Sequence, residues 1–349
     1  MIQCQLKLKA TPQQERKLNR LLFHLTAVWN WAIKRIEHDA EAGIYYSSLS
    51  FRNVLNGHGA KMGISQDAIN GTLWTAHSAW QRCFKRLGSK PRLKGRRNRL
   101  NSIAFAHAAS IKNDHAVIPS VGKVRYHKQD IPQGHISQMR IVKRASGWYL
   151  CLFIKAEPKA PARTGSEQIG IDPGFSHLLT LSSGQKIDHP REMEASASRL
   201  AQAHRARNRK LAARLYERIA NQRKDRNHKL SRRLVAANIF IAFSKDRISH
   251  IARRFGKSVS SSGHNQLRSM IAYKSRTGGS EYIEPESKNS TITCSTCGAL
   301  TGPQGLAGLK VREWVCGACG AHHDRDINAA MNALISGLGI SHEMPVRAA

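Results

Sequence analysis

Two Cys-x2-Cys pairs, Cys294 with Cys297 and Cys316 with Cys319, stand 18 residues apart near the end of the chain. No other feature restricts the fold as tightly. Each pair makes a turn that offers two thiolates, and two such turns can meet tetrahedrally around one Zn²⁺. With all four positions filled by protein sulfur, this zinc would be structural and closed to substrate. Residues 291–322 are therefore expected to form a zinc ribbon. The other three cysteines, Cys4, Cys83 and Cys151, are scattered. That distribution points to metal binding in a reducing compartment and not to a disulfide framework.

The partner is constrained by charge. Fifty-six Lys and Arg against 23 Asp and Glu leave a formal net charge of +33 over 349 residues, far more than solubility needs. A polyanion is the natural counterpart, bound largely through counterion release and with steep salt dependence. A membrane surface fits poorly, because the sequence has no run of about 20 apolar residues and no basic amphipathic anchor. The opening MIQCQLKLKA has no signal-peptide core, so the expected location is the cytoplasm, at the nucleoid.

Along the chain, Ile2, Cys4, Leu6 and Leu8 alternate with polar residues and predict a strand. Thr11-Pro12 then reads as a helix N-cap with Pro at the first position, and Leu18, Leu21, Leu22, Leu25, Val28, Trp29 and Ile33 follow with helical spacing. A second helix is expected from Gln66 to Leu87, its aromatics serving the core. The segment KPRLKGRRNRL packs positive charge where Gly and Pro forbid a continuous helix. Its cations Lys90, Arg92, Lys94, Arg96, Arg97 and Arg99 read as a backbone-gripping loop, or as a solvated charge run. Short β segments follow through 101–157, suggesting a small barrel or sandwich, and Lys155–Glu167 reads as a linker. A strand-turn-strand meander begins near Ser166. Between Pro190 and Gly256 no Pro or Gly intervenes, so one or two long basic helices are expected, the second ending in the apolar segment Leu234–Phe243. Arg205, Arg207, Arg209, Lys210, Arg223, Lys224, Arg226, Lys229, Arg232 and Arg233 would line a nucleic-acid surface there.

Two acidic positions stand out on so basic a chain. Asp172, in GIDPG, ends an expected strand, although Asp before Pro-Gly is also common turn chemistry. Asp324 and Asp326, in HHDRDINAAMNAL, precede an alanine-rich helix, where one of them could simply cap it. Together they suggest a divalent metal held against phosphate, as in two-ion phosphodiester hydrolysis.

The order GIDPG, RKDxxHKLSRRLV, FGKSVSSSGHNQLRSMIAYKS, CSTCG, CGACG and HDRDINAAMN resembles the transposon-encoded TnpB (OrfB) family, relatives of the type V CRISPR effectors. The opening KLKATPQQERKLNRLLFHLTAVWNWAI and the KPRLKGRRNRLNSIAF segment are similar to that family too, so the likeness spans nearly the whole chain. It implies a multidomain α/β architecture: a wedge β-barrel (1–10 and 101–160) interrupted by a helical recognition domain (11–100), then an RNase H-like, RuvC-like nuclease domain (161–290 and 323–340). The zinc ribbon (291–322) would be inserted in the nuclease domain, and 341–349 is expected to be a flexible tail. It further implies a guide RNA derived from the transposon end, target double-stranded DNA read beside a short adjacent motif, and Mg²⁺-dependent cleavage by an Asp-Glu-Asp site, from a monomer or weak dimer.

Asp172 matches the first of those acids and Asp326 the third, with Asp324 as its alternate. The middle acid departs from the family pattern: the strand reads IFIAFSKDRI, and Ser244 stands where Glu is expected. Glu284, in SEYIEPES, is the expected replacement, with Glu286 as alternate. Asp246 would need a shift of register. Two readings follow, an RNA-guided DNA endonuclease and a nuclease-inactive RNA-guided DNA-binding regulator. A strand-joining transposase has no nucleophile of its own in the sequence.

Overall fold

The computed structural model describes residues 1–95, 98–105, 111–157, 159–174, 176–190, 192–245, 263–286, 288–304, 308 and 310–340. Arg96, Arg97, Asp246, residues 255–262 of the FGKSVSSSGHNQLRSMIAYKS motif and the tail 341–349 lie outside the described residues. The chain forms two compact units, Met1–Pro158 and Lys159–Ala349.

In the first unit, β1 (Ile2–Lys9) buries Cys4, Leu6 and Leu8 on one face, the period-two pattern of a half-buried strand. Thr11 then starts α1 (Pro12–Glu41) with a capping box. Its hydroxyl accepts from Gln14 N and its own N donates to Gln14 Oε1, at 3.3 and 3.0 Å, satisfying two otherwise orphaned donors. The helix buries the stripe from Leu18 to Ile36. Two short helices unforeseen from the sequence, α2 (Ser48–Asn53) and α3 (His58–Met62), lead to α4 (Gln66–Phe84). This last helix buries Ile69, Leu73 and Trp80 but leaves Trp74 and Phe84 exposed. Five strands follow: β2 (Ser102–Phe105), β3 (His115–Ile118), β4 (Gly122–Tyr126), β5 (His135–Arg144) and β6 (Gly147–Lys155). With β1 they make a six-stranded antiparallel sheet in the order β2-β5-β6-β1-β4-β3. The N-terminal strand thus sits inside a sheet built mostly from residues a hundred positions later.

The second unit is a five-stranded mixed sheet. β7 (Glu167–Pro173) pairs antiparallel with β8 (Leu179–Leu181), which pairs with β9 (Lys186–Ile187). Helices α5 (Glu192–Ala195), α6 (Ala197–Arg205) and α7 (Arg209–Ala237) follow, and then β10 (Asn238–Phe243) joins β7 in parallel. The expectation that Leu234–Phe243 closes a helix is corrected here. Helix α7 stops at Ala237, Asn238 turns extended (φ −122°, ψ 135°), and its Nδ2 donates to Leu234 O at 2.8 Å. The residues Phe240, Ile241, Ala242 and Phe243 that follow make a strand buried on both faces, with Ile239 left exposed. After α8 (His264–Gly278), β11 (Glu281–Ile283) adds in parallel to β10, giving the order β11-β10-β7-β8-β9. A separate ribbon of β12 (Glu313–Val315) and β13 (His322–Asp324) precedes α9 (Arg325–Leu338).

The two faces of this sheet are covered differently. Ile169, Ile171, Ile241 and Phe243 share one buried cluster with Leu230, Leu234 and Val235 of α7 and Leu267 and Ile271 of α8. The alternate residues face α9. A Cβ at Gly170 would stand 1.9 Å from Ala330 O, and one at Gly337 would meet Ala242, Ile283 and Phe240. Glycine at 170 therefore sets how closely α9 lies on β7, and any side chain there would push the helix away.

Candidate metal centres and nucleic-acid surface

Asp172 is half-buried, the penultimate residue of β7. It shares Gly170's side of the strand by period two, so it faces α9. Asp326 lies in the first turn of α9, one turn before Ala330 on the stripe that continues through Leu334 and Gly337 to the sheet. Register and helix phase thus bring these two acids to one face, at the C-terminal edge of the parallel strands. Asp326 Oδ2 lies 3.6 Å from Arg312 Nη1. Asp324 caps α9, its Oδ1 accepting from Asp326 N and Ile327 N at 3.0 Å each. Lys186 Nζ stands 2.5 Å from its other oxygen. Burial opposes its ionisation, but the Lys186 and backbone hydrogen bonds prevail and hold its carboxyl below the usual range. The cap and Lys186 thus occupy Asp324, while helix phase sets Asp326 on the Ala330 side of α9 with Arg312 beside it.

The two glutamates go elsewhere. Tyr282 pairs with Ile241 and Ile283 with Ala242, and the pairing runs on through Lys245 N to Pro285 O at 3.0 Å and the Lys245–Glu286 bridge. Glu284 and Glu286 therefore share the register side of Ile241 and Phe243, opposite Asp172. Tyr282 Oη donates to Glu284 Oε1 at 2.8 Å, and Arg268 Nε of α8 lies 3.7 Å from the same oxygen. Burial, then this hydrogen bond, pushes the Tyr282 phenol up. Glu286 pairs with Lys245 Nζ at 2.8 Å. Period two does put Tyr282, Glu284 and Glu286 on one side, as the sequence suggests, but it is the side of α8. Ser244, aligned with Asp172, is 1% exposed, and its Oγ is buried without a hydrogen-bond partner.

Behind the turn that follows Asp172, two imidazoles fasten the backbone. His264 Nε2 donates to Leu178 O at 3.0 Å and His189 Nε2 to Gly174 O at 3.1 Å, with ring centroids 6.0 Å apart. Burial lowers His264 to about 4 and lowers His189 as well. Neither residue was foreseen; an isolated His in a sequence carries no signal of what it fastens.

Cys294, Cys297, Cys316 and Cys319 place their sulfurs within 4.8 Å of one another, the one such set of three or more metal-ligating residues among the described residues. The Cys294–Cys319 and Cys297–Cys316 separations are both 3.7 Å. A regular tetrahedron with metal–sulfur bonds of about 2.3 Å has edges of about 3.75 Å, so the spacing suits one Zn²⁺. Each pair ends in a glycine at positive φ, Gly298 (77°) and Gly320 (75°), which lets the chain fold back over the sulfurs. The cluster is bolted to α9: Asn328 Nδ2 and Asn332 Nδ2 donate to Thr293 O at 2.8 and 2.7 Å, and Ser295 N donates to Asn328 Oδ1 at 2.9 Å.

The basic candidates divide by exposure. In the first unit the 90–99 loop is tied to α1, since Asn30 both donates to Lys94 O (2.8 Å) and accepts from Lys94 N (2.7 Å). Lys94 Nζ stands 5.6 Å over the Trp29 ring. Lys90 pairs with Glu37, while Arg92 and Arg99 are exposed. In the second unit Arg205, Arg207, Arg209, Lys210, Lys224, Lys229, Arg232 and Arg233 are exposed. Arg223 and Arg226 turn inward: Arg226 Nε lies 3.7 Å from Glu192, and Arg223 packs on Gly263. No helix among the described residues is long and apolar enough to cross a membrane.

The OrfB_IS605 family model, described as "Probable transposase", matches residues 152–245, and the "Cas12f1-like, TNB domain" model matches 264–333. A "Putative RNA-guided DNA endonuclease" of Streptomyces pristinaespiralis is 31% identical over 303 residues, covering 80% of this chain and 73% of that protein. The "Putative RNA-guided DNA endonuclease InsQ" of Escherichia coli (strain K12) is 23% identical over 372 residues, covering 95% and 91%. Among solved structures, the Cas12f1-sgRNA-target DNA complex aligns at 16% identity over 96% of this chain and 99% of that one, with a TM-score of 0.38.

Proposed function

This chain belongs to the TnpB (OrfB) family, and from that premise we propose that it is an RNA-guided DNA endonuclease, with Asp172 and Asp326 as the acids of its hydrolytic site. What supports the reading is that strand register sets Asp172, and helix phase sets Asp326, on the side where α9 packs on β7 over Gly170. Oxygen donors of this kind suit Mg²⁺, which is commonly held by one or two carboxylates together with waters and substrate phosphates. The chemistry that Mg²⁺ would supply there is an activated water and stabilisation of the leaving 3′ oxygen. The protein's part is to hold the acids: the β7 register fixes Asp172, and the Asp324 cap fixes the first turn that presents Asp326. Glu284, with Glu286 as alternate, is the third acid that the family pattern leads one to expect; it would have to leave Tyr282 and Arg268 on the α8 side to reach the cation.

The strand order β11-β10-β7-β8-β9 supports an RNase H-like, RuvC-like domain over 161–290 and 323–340. The sulfur spacing supports a zinc ribbon at 291–322. The first sheet supports a wedge from 1–10 and 101–160 around the helical 11–100 segment. The exposed cations of α7 and of the 90–99 loop would grip phosphates of guide RNA and target DNA, leaving sequence to base pairing and a short adjacent motif. The protein would work in the cytoplasm, at the nucleoid, as a monomer or weak dimer.

A second reading, a nuclease-inactive RNA-guided DNA binder, is favoured by one observation: Glu284 is held by Arg268 and Tyr282 on the α8 side. The protein co-purified with its RNA, given guide-matched DNA and Mg²⁺, separates the two. Cutting that Asp172→Ala abolishes supports the nuclease. Matched binding with no cutting by the wild type sinks it in favour of the binder.

A further inference from the structure

Strand β10 delivers Ser244 directly beside Asp172. Phe243 pairs with Ile171, and Ser244 N donates to Ile171 O at 2.9 Å. Ser244 therefore stands level with Asp172, one strand spacing of about 4.8 Å away. Period two gives it the same face, that of Gly170, Ala242 and α9.

The hydroxyl in that position is unsatisfied. Ser244 is 1% exposed, and Oγ has neither a partner nor contact with solvent. A hydroxyl rotates freely and offers one donor and two acceptor sites, so burial without any partner is rare and calls for a ligand or a bound water. The residues before it on β10 show what this sheet does where only packing is needed: Ile241, Ala242 and Phe243 are apolar and almost wholly buried. At 244 the chain carries instead an oxygen beside Asp172, the acid of β7 on that face.

We infer that Ser244 Oγ is a ligand of a divalent cation held by Asp172 and Asp326. The inference rests on the reading of those two acids as cation ligands. It differs from that reading in the third oxygen, which is neutral and comes from the neighbouring strand on the same face, with no need to detach Glu284 from Arg268. A neutral third ligand leaves two formal negative charges at the site, suiting a hard cation that keeps several waters, as Mg²⁺ does. Serine hydroxyls fill such a position on Mg²⁺ elsewhere, in P-loop enzymes.

The test uses Mn²⁺ as probe on the full chain freed of nucleic acid, with free Mn²⁺ counted by electron paramagnetic resonance. Ser244→Ala is expected to weaken Mn²⁺ binding by about tenfold, and Asp172→Ala to abolish it. Melting provides a second readout. Without added cation, Ser244→Ala should melt higher than wild type because it removes a buried orphan hydroxyl, and it should gain less from Mg²⁺. Unchanged Mn²⁺ affinity in Ser244→Ala, with a loss in Glu284→Gln, overturns the inference but leaves the two-acid reading standing. Unchanged affinity in Asp172→Ala overturns both.

Discussion

The cysteine cluster and the acid site lie in the same unit, yet they are assembled in opposite ways. Four sulfurs arrive on two short turns, each fixed by its own glycine and backbone hydrogen bonds, and they already have the spacing of one tetrahedral ion. The acids arrive from a strand, a helix 150 residues later and a further strand, and only two of the three expected carboxylates reach the same face. Local spacing can build the first site. The second depends on register, where a shift of a single residue exchanges the faces of a strand.

The sharpest way to break this comparison is to remove the metal from the cysteines. Structural zinc contributes on the order of 10 kcal/mol to the folding of small zinc modules. Chelation or Cys316→Ser should therefore unfold residues 291–322, seen as loss of amide-exchange protection. Because Asn328 and Asn332 tie that loop to α9, protection in the first turns of α9 should fall with it, and with it the placement of Asp326. A fully protected α9 after chelation would show that the two sites are independent.

Next in size is the difference among the acids. Asp172→Ala and Asp326→Ala should each lower DNA cleavage by roughly 10³-fold, about 4 kcal/mol of barrier. Glu284→Gln should cost less than roughly tenfold if the register seen here holds during cleavage, about 1.4 kcal/mol. Equal losses at all three would mean that the end of β11 turns over to present Glu284. Single-turnover cleavage rates for the three variants decide it.

What was legible in the sequence follows the same division. The Cys-x2-Cys pairs, the Thr11-Pro12 helix start and the alternation of Ile2 to Leu8 each depend on neighbours a few residues away, and each forms as read. The face of Glu284 did not: period two correctly groups it with Tyr282, but only the pairing of Tyr282 with Ile241 tells which side that group faces. The strand after Ala237 was legible only through the family resemblance, as IFIAFSKDRI: Leu234–Phe243 is apolar but for Asn238, and periodicity cannot separate a buried strand from a buried helix end. His264 and His189 were invisible because their partners are backbone carbonyls in a distant turn.

Those histidines offer a smaller test. Both ends of the turn after Asp172 are fastened by neutral imidazoles, and His264 is held at about 4 in the fold against 6.5 in an unfolded chain. The unfolded chain therefore takes up the proton first. Stability is complete above about pH 6.5 and is lost progressively as pH falls toward 4, by about 2 kcal/mol between pH 7 and pH 5. Urea midpoints at the two pH values should show this loss. His264→Gln, which can keep a donor to Leu178 O but cannot titrate, should remove most of it. An unchanged pH dependence in the variant would mean that His264 is already charged or already exposed.

The smallest expected effect separates the two faces of α7. Arg232 and Arg233 are exposed, whereas Arg226 is half-buried and faces Glu192. If the exposed face grips phosphate, Arg232→Gln should weaken RNA binding about equally across sequences and reduce the slope of log affinity against log salt by about 0.7 to 0.9. Arg226→Gln should leave that slope unchanged and act through stability, because its cation is already opposed by a carboxylate and lowered by burial. Binding titrations across a range of salt measure both. An equal change of slope for the two variants would mean that Arg226 swings out to the nucleic acid, and that the inward contacts of α7 belong to the free protein alone.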